Sequence, residues 1–154
     1  MRLADIITPA AVKVLGATSS KKRLFQDLSD LSASAYGLPP GGVVEALIER
    51  EGLGPTGVGH GVALPHARVT NVDRIRGLFI RLEKPLDFDS IDRQPVDLVF
   101  ALLAPLSAGV EHLKALALVS RTLRDPSVRT KLRANDDPGT LYTILTEAQA
   151  SQAA

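Results

Sequence analysis

The chain has 154 residues, 45% of them apolar and 23% charged, with a formal net charge of +1. That length suffices for one ordinary domain with its own core, and near-neutrality with scattered arginines excludes the clustered basic excess of a nucleic-acid binder. Cysteine is absent, which excludes disulfides, thiolate nucleophiles and thiolate metal sites together, while no apolar run reaches the roughly 18 residues of a membrane span and Asp5 interrupts what a signal peptide would need, so a cytoplasmic protein is expected.

Taken in order, the segments alternate between strand and helix. Val12 to Leu15 reads as a short strand. Ser19 or Ser20 then caps a helix whose apolar positions Leu24, Phe25, Leu28 and Leu31 recur at helical spacing, and Gly37 with Pro39-Pro40 stops it. A second helix runs from Val43 to Glu51 and ends at Gly52. Three strand candidates follow, Gly61 to Leu64, Ile75 to Leu82 and Val96 to Ala104. The last is almost continuously apolar, as a central strand covered on both faces should be. Helices are expected from about Val110 to Arg124, from Pro126, and from Asp137-Pro-Gly to near Glu147, with residues 148–154 as a fraying tail. The order predicts a single α/β domain over residues 1–154, a mixed sheet of about five strands with helices on both faces.

Between the second helix and the strands lies Gly52-Leu-Gly-Pro-Thr-Gly-Val-Gly-His-Gly-Val-Ala-Leu-Pro-His66. Pro65 fixes φ immediately before His66, so that imidazole stands on stiff backbone. The five glycines from Gly52 to Gly61 let backbone N–H groups approach an anion closely. Imidazole is largely neutral and nucleophilic near pH 7. A nucleophile beside an anion cradle suits phosphoryl chemistry; the alternative is a solvated loop histidine.

The run from Glu51 to Ala67, with Val58-Gly59 and Val62-Ala-Leu-Pro-His-Ala67, resembles the phosphorylation motif of enzyme IIA proteins of the mannitol/fructose class in the bacterial phosphoenolpyruvate-dependent phosphotransferase system. Leu3-Ala-Asp-Ile-Ile-Thr-Pro, Ala17-Thr-Ser-Ser-Lys-Lys-Arg, Asp87-Phe-Asp-Ser-Ile-Asp-Arg through Pro105, and Glu111-His-Leu-Lys are similar to its nitrogen-regulatory branch. The resemblance covers nearly the whole chain and implies the mixed-sheet enzyme IIA fold. It also implies a regulatory phosphoryl carrier, in which His66 accepts phosphate from an HPr-like carrier protein. Family partners include potassium-transport proteins and sensor kinases. Such chemistry needs neither metal nor nucleotide, because phosphohistidine is already an activated donor. The alternative is a stand-alone fructose- or mannitol-type enzyme IIA passing phosphate to a separate enzyme IIB, whose cysteine this chain does not contain.

His112, in the first turn of its helix, has either a core role, satisfied by a carbonyl, or a place beside an anion at the positive end of the helix dipole. The resemblance matches it to the family's second histidine, which hydrogen-bonds the phosphoryl group. Arg50, in the last turn before the glycine loop, suits both helix capping and forked binding of phosphate oxygens; by resemblance it is the active-site arginine. Thr56 and Gly57 are the candidate phosphate-binding pair, with the Thr56 hydroxyl either on the phosphate or capping the turn. Arg68 is a surface or docking candidate, and exposed Leu53, Val58 and Leu64 are candidate docking residues. His60 lacks the spacing and third ligand of a metal site. Asp87, Asp89 and Asp92 read as turn-forming residues. Two departures from the family pattern stand out: Pro55 where serine is common and Arg93 where a turn glycine is frequent.

Overall fold

The computed structural model describes residues 1–39 and 41–153, with side chains through Ala148. Capping and periodicity set its helices. Ser20 Oγ accepts from Arg23 N at 3.1 Å and opens α2 (Lys21–Tyr36), which buries Leu24, Phe25, Leu28 and Leu31. Gly37 ends it in left-handed backbone, ahead of Pro39; Pro40, the last residue of the expected stop, lies outside the described residues. α3 (Gly42–Gly52) and α4 (Val110–Arg124) stand where the apolar spacing places them. Asp125 caps α5 (Pro126–Arg133) with Pro126 at its first position. α6 (Pro138–Ala153) continues past the expected end near Glu147, so the expected tail falls within it up to Ala153, and Ala154 lies outside the described residues. A short helix, α1 (Leu3–Ile6), and a 3-10 turn, Pro9–Ala11, are too brief to show a hydrophobic period and bury Leu3, Ile6 and Ala11.

The strands are β1 (Val12–Leu15), β2 (Gly57–Gly59), β3 (Val62–Ala63), β4 (His66–Val69), β5 (Arg76–Leu86) and β6 (Val96–Pro105). They form one mixed sheet of six strands, not about five, in the order β1-β5-β6-β3-β2 with β4 also on β6. β6 is central, and Leu98 to Ala104 are all buried. α2 and α3 pack together over β5 and β4, while α4 lies on β6 and α6 on β1, with α5 between them. The buried apolar residues form one cluster that includes all four phenylalanines. Each fully buried ring contributes about 1.5–3 kcal/mol.

The strand expected to end at Leu64 resumes at His66. Val62 pairs with Leu98, Ala63 with Val99 and His66 with Leu102, so β3 and β4 keep one register along β6. Pro65 interrupts them because it has no N–H to offer, yet its carbonyl still accepts from Leu102 N at 2.9 Å. His66 is thereby fixed to the most buried strand of the molecule.

Candidate functional site

The first residue of β4 is held through both nitrogens of its ring. His66 Nδ1 lies 2.9 Å from the Leu64 carbonyl oxygen, which can only accept, so Nδ1 carries the proton. Arg50 Nε–H donates to His66 Nε2 at 3.2 Å, so Nε2 presents its lone pair. Burial is the main cause lowering the His66 pKa below the usual imidazole value, and the Arg50 charge lowers it further, against the Leu64 hydrogen bond and Glu51. The ring is therefore neutral at pH 7 with one nucleophilic nitrogen. Arg50 Nη1 also donates to the Gly54 carbonyl at 3.0 Å, which ties the end of α3 to the loop.

His112, third residue of α4, is only 7% exposed. Its ring stands edge-on to His66 with centroids 5.3 Å apart. Nε2 is buried with no hydrogen-bond partner among the described residues, so the carbonyl that a core histidine would use there is missing. Desolvation, then the neighbouring His66 and Arg68 charges, lower its pKa as well. An unpartnered buried ring nitrogen is unfavourable by about 1–3 kcal/mol, and a phosphoryl oxygen on His66 would supply the partner. Arg50, His66, Arg68 and His112 line one open hollow of about 480 Å³, with Leu53 and Glu49 at its rim. The fold thus brings together α3, β4 and the start of α4, and adds Arg68, which stands exposed there without an ion pair among the described residues.

The glycine run is held by internal contacts. Thr56 N and Oγ1 both donate to the Glu51 carboxylate, at 2.7 to 3.1 Å, so of the two readings of Thr56 the capping one is observed. Gly57 is required by packing: a Cβ there would overlap the Ser90 hydroxyl. Gly61, at φ +77°, sits against Asp97 and Arg133. None of residues 56–61 lines the hollow at His66; Gly57 and Gly59 pair with Ala63 and Val62 as a hairpin, and the Thr56 carbonyl accepts from Leu64 N at 3.0 Å. His60 belongs to that hairpin: its N–H donates to Asp92 and its carbonyl accepts from Arg133. Asp92 also accepts from Gln94 N, and Asp87 from Asp89 N, which makes the acidic run a set of turn caps. Arg93 adopts φ 62°, the left-handed backbone that a glycine would take there without strain. No group of three or more His, Asp or Glu suited to a metal occurs among the described residues.

Sequence reasoning missed the Leu64 carbonyl that selects the tautomer and the Glu51 brace. Glu51 carried a signal, since an acid at the end of a helix before a Thr-Gly turn is placed to cap it.

A hollow with an oriented histidine between two helix-borne partners, on a six-stranded mixed sheet, is the framework of a phosphotransfer component. The family described as phosphoenolpyruvate-dependent sugar phosphotransferase system EIIA 2 matches residues 5–148, and the chain belongs to it. Within that family it stands in the nitrogen-regulatory branch. It is 45% identical to the nitrogen regulatory protein of Bradyrhizobium diazoefficiens, over 99% of this chain and 100% of that one. The crystal structure of nitrogen regulatory protein IIA-Ntr from Neisseria meningitidis superposes with a TM-score of 0.85 at 37% identity, covering 94% of this chain and 99% of that one. A fructose-specific EIIA component from Haloferax volcanii is 32% identical over 96% of this chain and 98% of its own. No helix among the described residues is long and apolar enough to cross a membrane.

Proposed function

We propose that this protein is a cytoplasmic regulatory phosphoryl carrier that accepts phosphate at His66 Nε2 from an HPr-like phosphocarrier. The observation that carries the proposal is the double fixation of His66: Nδ1–H on the Leu64 carbonyl and Nε2 under Arg50. In the transfer, the Nε2 lone pair attacks phosphorus in line, the donor's N–P bond breaks, and its electron pair returns to the donor imidazole. The new N–P bond leaves positive charge on the His66 ring, which the Leu64 carbonyl stabilises through Nδ1–H. Arg50, released from Nε2, turns to the phosphoryl oxygens, and His112 donates to one of them from Nε2 in its N–H form.

Docking rests on the apolar rim. Leu53 is 83% exposed, and Val110 and Leu113 are exposed on the first turn of α4 beside His112. Leu64 is buried, so it is no docking residue, and Val58 lies away from the His66 hollow. The phosphorylation state would then set the affinity for regulatory targets, of which potassium-transport proteins and sensor kinases are the family's examples.

The second reading, a sugar-type enzyme IIA that donates to a separate enzyme IIB, is favoured by the likeness to the Haloferax fructose-specific component. Incubation with phosphoenolpyruvate, enzyme I and an HPr-like protein tests both. The expected product carries acid-labile label that is lost in His66→Ala and kept in His60→Ala. Label retained in His66→Ala refutes the acceptor assignment, and efficient onward transfer to a sugar-specific enzyme IIB favours the second reading.

A further inference from the structure

Beyond the His66 hollow, the hairpin of β2 and β3 closes over a separate cavity of about 240 Å³ between itself and the helices α4 and α5. Its walls are of two kinds. Val58, Val62 and Leu123 are apolar, while Arg129 and Arg124 supply cationic nitrogen and His60 an imidazole, and no carboxylate among the described residues lines it.

Arg129 is the unusual member. It is only 9% exposed, and buried arginines are normally paired with an acid. Nη1 is spent on helix carbonyls, donating to Leu123 O at 3.0 Å and Arg124 O at 2.6 Å. No ion pair to it occurs among the described residues. Nε and Nη2 have no hydrogen bond among the described residues, and they are not sealed from solvent either. The neighbouring hollow does hold two acids, yet both are engaged elsewhere: Asp97 is bound by Arg133 at 2.9 to 3.2 Å, and Asp92 accepts from His60 N and Gln94 N. The Arg129 charge is therefore left without a counter-ion beside a cavity that has an apolar wall.

We propose that this cavity binds a small organic anion, whose carboxylate or phosphate head lies on the free edge of the Arg129 guanidinium and whose short apolar body lies against Val58, Val62 and Leu123. A guanidinium presents two parallel N–H donors to such a head, which gives it geometry as well as charge. Arg124, exposed at the cavity, adds long-range attraction, and the His60 ring stands at the same wall. Carboxylates of similar charge but larger volume are excluded by the size of the cavity.

The test uses the full chain, isotope-labelled at arginine and histidine side chains, titrated separately with 2-oxobutyrate and with inorganic phosphate while NMR signals of Arg129, His60 and His66 are followed. Saturable shifts at Arg129 and His60 are expected, with 2-oxobutyrate binding more tightly than phosphate because only it reaches the apolar wall. The same shifts should persist in His66→Ala, which separates this cavity from the phosphate-accepting hollow. Arg124→Ala, an exposed change, should weaken binding several-fold with the melting temperature unchanged. Arg129→Lys should weaken it by at least about tenfold, since lysine keeps the charge but not the fork. If Arg129→Lys does not fold, Val62→Phe, which fills the cavity, should abolish the shifts in its place. Phosphate binding as tightly as 2-oxobutyrate would keep the anion head and refute the apolar contact. Shifts confined to His66, or linear shifts that never saturate for either anion, overturn the proposal.

Discussion

Replacing Arg50 by alanine removes the one cation among the described residues that hydrogen-bonds the nucleophile. In the resting protein its Nε–H lies 3.2 Å from His66 Nε2, so a phosphoryl group on that nitrogen brings its oxygens within about 4 Å of the guanidinium. At that distance a unit charge pair is worth about 4 kcal/mol with an effective dielectric constant near 20. Arg50 is only partly buried, and solvent screening can halve this figure. With about 1.4 kcal/mol per factor of ten, the transfer rate should fall between about 30-fold and about 1,000-fold. Arg50→Lys keeps the charge but loses the fork and should recover no more than part of that loss. The structural effect is smaller, because the bond from Nη1 to the Gly54 carbonyl is worth about 1 kcal/mol. Rapid-quench measurement of labelled phosphate leaving a phosphorylated HPr-like donor gives the rate, and thermal melting gives the stability. A folded Arg50→Ala protein that accepts phosphate within about threefold of the parent rate would refute the role of Arg50 in stabilising the transferring group.

Four further outcomes are expected. The folded-state pKa values of His66 and His112 both lie below the usual imidazole value, so the unfolded chain binds more protons as the pH falls through about 6.5. Their contribution to stability is full above that pH and is lost as acidification proceeds toward the lowered folded values; urea titrations across the range should show the loss, and a reduced slope in His112→Asn. Glu51→Gln weakens the charge-assisted bonds to Thr56, with an expected destabilisation of about 1.5–3 kcal/mol in denaturant melts. Gly61→Ala places a Cβ against Asp97 and Arg133 at φ +77° and should lose about 1–3 kcal/mol by the same assay, with phosphate acceptance kept in the folded fraction. Leu53→Asp, on the exposed rim, should leave melting unchanged and reduce kcat/KM for the donor about tenfold; an unchanged kcat/KM would place the donor elsewhere.

The sequence by itself determined the order and kind of most elements, because the apolar periodicity of Leu24 to Leu31, the caps at Ser20 and Asp125, and the apolar run of β6 are local signals. It also singled out His66, Arg50 and His112. It did not determine where the glycine run points. Backbone freedom is a local property of Gly57 and Gly61, but its use is set by what packs against them, and Ser90, Asp97 and Arg133 come from distant segments. The short β2 and the resumption of strand pairing at His66 were invisible for a related reason: each is too brief to show a period, and both exist through pairing with neighbouring strands. The tautomer of His66 and the unpartnered nitrogen of His112 likewise depend on contacts across the chain. Residue types and local spacing name the groups that can do the chemistry; only the long-range packing of α3, β4 and α4 fixes which nitrogen is offered and what stands beside it.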